Sequence, residues 1–258
     1  MTENVIEIKG LEIHFGGVRA LKGVDMVFPK GMVTAIIGDN GAGKSTLIKC
    51  ISGIYSPTGG QIMVNGEEVK ITSPIQARHL GIETVYQDLA VIDTLTVTEN
   101  LYLSREIRQG IWPFQLLNRK KMRAGAAEMM ARVGNKTVVL DNEIGNMSGG
   151  QRQAVAISRA VGWGAQVIIF DEPTAALGVK ETAEVAHLIE RLKEQGITVI
   201  IISHNFEEVL QLADIVWVMR QGRAVTSRKV SEVTGRELVA LITGAETGAE
   251  TGAETASE

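Results

Sequence analysis

A glycine-rich segment at residues 38–45, Gly-Asp-Asn-Gly-Ala-Gly-Lys-Ser, has the spacing of a phosphate-binding loop. Glycines let backbone N–H groups turn toward phosphate oxygens, and a helix beginning behind them adds a favourable dipole. Lys44 can place a charge between the β- and γ-phosphates of a nucleoside triphosphate, and the hydroxyl of Ser45 can bind Mg²⁺. A chance glycine turn would lack the β-rich run at 33–37 and the helical stretch at 44–54 that flank it. The loop alone predicts triphosphate binding and no particular use of it.

Two carboxylates follow the apolar run at residues 167–170. A buried strand here would deliver Asp171 to the carboxyl edge of a sheet, where ligands bind in such folds. Asp171 can then hold Mg²⁺ directly or through water, and Glu172 can polarise the attacking water as a general base. Strands often end in polar turns, so this pair is informative because the phosphate loop accompanies it.

His204 and Gln87 also lie just past apolar runs, at residues 199–202 and 82–86. The imidazole of His204 could sense or stabilise a γ-phosphate, and the amide of Gln87 could contact Mg²⁺ and the attacking water. Each residue also has a plainer interpretation. A histidine at a strand end is commonly satisfied by its surroundings, and a glutamine there can simply be solvated.

A second anion-binding helix end is predicted at residues 148–151, Ser-Gly-Gly-Gln, which we call the signature segment. Ser148 can cap the helical pattern at 152–161, and the two glycines leave backbone N–H groups open to an anion. One chain does not need two such sites for one γ-phosphate, so the second site would serve ATP held by another subunit. A plain N-cap is the alternative, and the spacing to Asp171 favours the shared site.

The flanking elements indicate an α/β fold. Residues 5–35 alternate short apolar runs with Gly and Pro, which is typical of antiparallel strands. Between 100 and 134 the sequence becomes rich in helix formers. Further on, apolar strand patterns alternate with helical patterns, which predicts a parallel sheet with crossover helices. The alternating elements are strands at 167–170 and 198–203, helices at 179–195 and 206–213, and a closing hairpin of 215–219 with 224–228. Further strands are predicted earlier in the chain, at 60–64 and 82–86, and the helix-rich region contains a helix at 119–133.

Composition narrows the possible functions. Hydrophobic residues make up 45% of the 258 residues and aromatic residues 4%, so the core must be mainly aliphatic. Without the four glutamates of residues 244–258, acidic and basic residues are equal in number, which argues against a nucleic-acid-binding face. The lone Cys50 excludes an internal disulfide and favours the cytosol. No apolar run reaches the roughly 20 residues of a membrane span, so any membrane role would come through a partner.

Taken together, these motifs resemble the ATP-binding cassette (ABC) ATPases in order and spacing, over about residues 5–243. The resemblance implies a P-loop NTPase (RecA-like) core with a parallel sheet, an N-terminal antiparallel β subdomain, and an inserted α-helical subdomain at about 90–162. It also implies a head-to-tail homodimer that sandwiches two ATP molecules with Mg²⁺. A disordered Gly-Ala-Glu-Thr repeat tail is expected at 244–258.

The resemblance assigns roles to particular residues. The catalytic positions are Glu172, His204, Gln87 and Lys44. The metal positions are Ser45, Gln87 and Asp171. The nucleotide-binding positions are Phe15, which matches the aromatic that stacks on adenine, Gly38, Asn40, Gly41, Ala42, Gly43, Lys44, Ser45, Thr46, and, across the dimer, Ser148, Gly149, Gly150 and Gln151.

Within the family, residues 171–178 and 85–89 look most like the ATPase subunits of bacterial monosaccharide importers of the ribose, xylose and fructose type. The expected partners are a permease in the membrane and, indirectly, a sugar-binding protein, with no nucleic acid. The expected location is the cytoplasmic face of the inner membrane. One departure is Gly178, where the family commonly has an Asp that crosses the dimer interface. The contact between the two sites is therefore left unassigned.

Three other functions use the same loop. A cassette ATPase for another cargo would have the same motifs, because binding protein and permease mainly choose the cargo. A soluble cassette acting on nucleic acid or ribosomes would usually carry two cassettes, long inserts or basic surfaces. A phosphotransferase would need an acceptor pocket and would have no use for the signature segment.

Overall fold

The computed structural model describes residues 3–86, 89–110, 114–135, 138–175 and 177–244. In these residues the strands are β1 (Asn4–Phe15), β2 (Val18–Pro29), β3 (Val33–Ile37), β4 (Gly59–Val64), β5 (Glu67–Val69), β6 (Ile82–Val85), β7 (Arg108–Gln109), β8 (Leu116–Leu117), β9 (Val167–Asp171), β10 (Thr198–Ile202), β11 (Ile215–Arg220) and β12 (Arg223–Lys229). The α-helices are α1 (Lys44–Ile51), α2 (Pro74–His79), α3 (Val97–Leu101), α4 (Arg119–Arg132), α5 (Gly149–Gly162), α6 (Val179–Glu194), α7 (Phe206–Leu212) and α8 (Gly235–Thr243).

The central sheet has the strand order β12-β11-β3-β10-β9-β6, and every pair from β11 to β6 is parallel. Strands β3 and β10 are buried along their whole length. This explains their continuous Val and Ile runs, since a parallel sheet covered on both faces must be apolar on both. The carboxyl ends of these strands meet at one edge, which carries the phosphate loop, Glu172 and His204.

The N-terminal sheet is antiparallel throughout, in the order β2-β1-β4-β5. Its apolar side chains and those of α1 form one core with one face of the central sheet. The opposite face of the central sheet packs with apolar residues of α5, α6, α7 and α8. The predicted α/β architecture, with a parallel sheet and an antiparallel N-terminal sheet, is confirmed.

A third core lies among helices α3, α4 and α5. Its buried side chains include Leu101, Met122, Ala126 and Met130, and the indole N–H of Trp163 donates to the carbonyl of Leu101 at 3.1 Å. This core lies within the part of the chain where we predict a helical subdomain. The limits of 90 and 162 stay a prediction, as does the 5–243 domain.

Some elements differ from the sequence prediction. Helix α1 ends at Ile51 rather than at 54, because Gly53 adopts a left-handed φ of 75°. A Cβ at that position would lie 2.4 Å from the carbonyl oxygen of Ser73, so only glycine allows this close approach. The short apolar runs predicted within residues 5–35 are not all separate strands, because the first two of them, at 5–8 and 11–15, form the single strand β1 with a register shift around Gly10.

Two further points concern membranes and the tail. Among the residues that the structure describes, no helix combines the length and apolar character needed to cross a bilayer. Of the predicted repeat tail, only Gly244 belongs to the described residues.

Candidate functional site

The phosphate loop joins the end of β3 to the start of α1, and its three glycines, Gly38, Gly41 and Gly43, have backbone conformations that other residues rarely adopt. Gly38 has a φ of 153°, and a Cβ there would lie 2.1 Å from the backbone oxygen of Met219. Gly43, with a φ of 102°, is the N-cap of α1 and makes no side-chain cap hydrogen bond. The first turn of α1 therefore offers backbone N–H groups to an anion rather than to a side chain.

Lys44 is folded into its own loop. Its ammonium donates to the backbone oxygens of Gly38 at 2.7 Å and Asp39 at 3.1 Å, and the residue is buried. Burial lowers the pKa of the Lys44 ammonium, while the carboxylates of Glu172, Asp39 and Asp171 act in the opposite direction. A phosphate would give the ammonium anionic oxygens in place of two neutral carbonyls.

Asp171 ends strand β9, and burial raises the pKa of its carboxyl, with the charge of Glu172 adding to the rise. Lys49 and Lys44 oppose this shift. Burial is the larger of the two causes, and a bound cation would relieve the mutual repulsion of the Asp171 and Glu172 carboxylates.

Glu172 has a left-handed φ of 53°, which is unusual for a residue with a side chain. Its backbone N–H donates to the carbonyl of Ile202 at 2.9 Å, so β10 holds it in this conformation. The side chain oxygen Oε1 lies 3.1 Å from Nδ1 of His204. Such conformations cost about 1–2 kcal/mol and cluster at functional sites, where surrounding structure enforces them.

The predicted metal ligands can be tested against this geometry. Within the described residues, no group of three or more His, Cys, Asp or Glu side chains could hold a metal ion. Ser45 and Asp171 provide one hydroxyl and one carboxylate. Mg²⁺ is commonly bound in this way, because it keeps several waters and completes its shell with substrate phosphates. The third predicted ligand, Gln87, lies outside the described residues.

Two cavities flank the phosphate loop. One, of about 510 Å³, is lined by residues 40–46 together with Glu172 and Ile202. The other, of about 440 Å³, is lined by Gly38, Asn40, Glu172 and His204. The structure thus brings the loop, Glu172 and His204 together, as sequence reasoning predicts from the shared sheet edge.

Phe15, at the end of β1, is 44% exposed and lines neither cavity. Its ring contacts the ring of Tyr55 edge-on, with centroids 5.0 Å apart. The ammonium of Lys49 lies 5.5 Å from the Tyr55 centroid. An exposed aromatic face beside the loop helix suits stacking on a base. Sequence reasoning missed Tyr55, although an aromatic four residues past the end of α1 was a usable signal.

The signature segment has a capping box. Oγ of Ser148 accepts from the backbone N–H of Gln151 at 3.3 Å, and the Gln151 side chain accepts from the N–H of Ser148 at 3.1 Å. The predicted N-cap is therefore observed at the start of α5. The segment lines a different cavity, of about 440 Å³, which shares no lining residue with the two beside the phosphate loop. Within the part of the chain that the structure describes, the two anion-binding helix ends therefore line separate cavities.

Gly178 is the N-cap of α6 and has no side-chain cap hydrogen bond. A Cβ at this position would lie 2.6 Å from Oε2 of Glu181. An Asp at 178 would therefore place its carboxylate against that of Glu181. The contact is with the end of a flexible side chain, so Glu181 would have to take another rotamer to admit an Asp at 178.

Comparisons with known proteins fit this geometry. The family model described as "ABC transporter" matches residues 21–175. The chain is 42% identical over 240 residues to a xylose/arabinose import ATP-binding protein of Sulfolobus acidocaldarius, covering 93% of this chain and 94% of that one. It is 41% identical to a fructose import ATP-binding protein of Rhizobium meliloti, covering 95% of each. A ribose import ATP-binding protein of Rubrobacter xylanophilus is 42% identical, but the match spans 47% of that longer chain.

Solved structures of ABC transporter ATP-binding proteins are similar in fold to this chain. An ATP-binding cassette of an ABC transporter in its ADP conformation has a TM-score of 0.79 at 27% identity, covering 94% of this chain and all of that one. The CbiO1 protein of Clostridium perfringens, part of a transporter complex, has a TM-score of 0.77 at 28% identity, with coverage of 92% and 93%.

Proposed function

The chain belongs to the ABC transporter family, and from that premise we propose that it is the ATP-hydrolysing subunit of a monosaccharide importer. ATP binding would close a head-to-tail dimer on the cytoplasmic face of the inner membrane, and hydrolysis would reopen it. The observation that carries the proposal is the separation of the phosphate loop and the signature segment into different cavities of one chain. Two copies facing each other can join them around one nucleotide.

Binding in this proposal uses the groups at the amino end of α1. The free first-turn N–H groups and Lys44 hold the phosphates, while Phe15 stacks on adenine. Ser45 and Asp171, with Gln87, would hold Mg²⁺, and the bound ion would neutralise phosphate charge.

Hydrolysis uses the groups at the ends of β9 and β10. Glu172 accepts a proton from the attacking water, and His204 lies beside its carboxylate at 3.1 Å. Glu172, whose backbone has a left-handed φ, lines both of the cavities that flank the phosphate loop. The contribution of the chain to hydrolysis is to position a water molecule between Glu172 and the bound γ-phosphate.

The sugar assignment rests on the relatives, whose names specify import of xylose, arabinose, fructose and ribose. Two of these relatives are matched over 94–95% of their own length, so they are about as long as this chain. We propose one of these pentoses or hexoses as cargo. The partners would be permease subunits contacted by the helical subdomain and, indirectly, a sugar-binding protein.

Reconstitution tests the proposal. The chain should co-purify with membrane permease subunits, and ATP hydrolysis by the complex in proteoliposomes should rise severalfold with a sugar and its binding protein. Phosphate should be released into water, with the sugar unmodified. Co-purification with RNA instead of permease would contradict the proposal, as would formation of a phosphorylated acceptor. If a cargo other than a sugar stimulates hydrolysis, the proposed ATPase activity stands and the proposed sugar cargo is wrong.

A further inference from the structure

His204 is held in place by the backbone that carries it rather than by packing. Its side chain is 68% exposed, and its imidazole lies 3.1 Å from the carboxylate of Glu172. The imidazole can therefore keep its place only if residues 203–205, which we call the His204 turn, keep their conformation. Contacts that hold the His204 turn in its conformation therefore also hold the imidazole beside Glu172, the predicted general base.

Three hydrogen bonds form a closed ring through the His204 turn and α7. Oγ of Ser203 accepts from the backbone N–H of Asn205 at 3.0 Å. The same hydroxyl donates to Oε2 of Glu208 at 2.5 Å. The ring closes where Oδ1 of Asn205 accepts from the N–H of Glu208 at 3.4 Å. His204 lies in the chain between two members of this ring, so its backbone is restrained from both sides.

The polar members of the ring are buried. Ser203 is 2% exposed and Glu208 is 5% exposed. Among the described residues, Oε1 of Glu208 has no hydrogen-bond partner. A buried carboxylate oxygen without a partner is destabilising, so stability alone does not explain an acidic residue here. The carboxylate of Glu208 accepts a hydrogen bond from the hydroxyl of Ser203. This bond polarises the hydroxyl and makes Oγ of Ser203 a stronger acceptor for the N–H of Asn205.

We propose that Ser203 and Glu208 are positioning residues for hydrolysis. They act through the His204 turn and hold the imidazole against Glu172. This inference rests on the proposed ATPase function, since it names two further residues of the same site. Neither residue needs to touch the nucleotide.

The test is a double-mutant cycle in the full chain, assembled with its co-purifying permease. Glu208→Ala should lower kcat for ATP hydrolysis about 10- to 100-fold, the size expected from misplacing a reacting group by about 1 Å. The KM for ATP should stay within about twofold, because the phosphate loop is untouched. Glu208→Gln retains an acceptor oxygen and should keep most of the activity. Glu207→Ala, on the exposed side of the same helix, is the matched control and should behave as wild type.

In a His204→Ala background, Glu208→Ala should cause no further loss, because the residue that it positions is gone. An equal loss in both backgrounds would overturn the inference, as would a Glu208→Gln variant as impaired as Glu208→Ala.

Hydrogen exchange provides a readout that does not need activity. Ser203→Ala removes the acceptor for the N–H of Asn205, and this amide should exchange at least about tenfold faster, a change of one power of ten in its opening equilibrium. Unchanged exchange would refute the ring as a restraint. A wild-type complex without ATP hydrolysis would instead refute the proposed function, and the exchange result would still decide whether the ring restrains the turn.

Discussion

Replacing Glu172 with glutamine should reduce ATP hydrolysis by about two to four orders of magnitude, the range that a general base contributes. Glutamine has nearly the same shape, but its amide cannot accept a proton from water at neutral pH. The carboxylate that contacts His204 at 3.1 Å is the group removed. The measurement is the rate of phosphate release by the reconstituted complex.

The same variant should still bind ATP and should remain as an ATP-bound dimer, because Lys44 and the first turn of α1 are unchanged. Glu207→Gln is the matched control, an exposed carboxylate on α7, and should hydrolyse ATP at the wild-type rate. Undiminished phosphate release by Glu172→Gln would remove Glu172 from the mechanism.

Replacing Gly149 with aspartate should abolish turnover by a different route. The new carboxylate would stand at the start of α5, where the partner's γ-phosphate is expected, and would repel it. Loss of one hydrogen-bond donor that points at the charge developing in the transition state typically lowers kcat by about 10² to 10³. An added negative charge at the same place should lower it at least as much. Turnover of the reconstituted complex should therefore fall at least about 100-fold.

The structure indicates that this variant should fold and still bind nucleotide as a monomer. Gly149 is not in the left-handed region, and an added Cβ would meet Cδ2 of Leu177 at 3.0 Å, the end of a flexible side chain. The phosphate loop lies in other cavities, so the Kd for ATP should stay within about twofold. Gly149→Ala adds the same Cβ without charge and should keep much of the activity. Wild-type turnover by Gly149→Asp would contradict the shared site.

The sequence was sufficient to predict the sheet and the convergence of groups at its edge. Long Val and Ile runs predict buried parallel strands, and their carboxyl ends must meet, which places the loop, Glu172 and His204 together. The Ser148 cap was equally predictable, because capping is local.

Other features could not be predicted, because they depend on side chains that tertiary packing brings together. The ring of Ser203, Asn205 and Glu208 needs the position of α7 against the end of β10. The occupation of the space beside Gly178 by Glu181 depends on a rotamer. The left-handed φ of Glu172 has no sequence signal, since glutamate does not favour it.

Cross-linking tests the central claim, a nucleotide site shared by two chains, most directly. In the Glu172→Gln background, one variant would carry Asn40→Cys in the phosphate loop and another Ser148→Cys in the signature segment. Both positions are exposed, whereas the native Cys50 is buried and its thiol pKa is raised to about 11, so it should not react. When the two variants are mixed with a short thiol cross-linker, a dimer joined through the two introduced thiols should form with ATP and not without it. If each variant binds ATP and no such dimer forms, or if its yield is the same without nucleotide, the shared-site account is wrong.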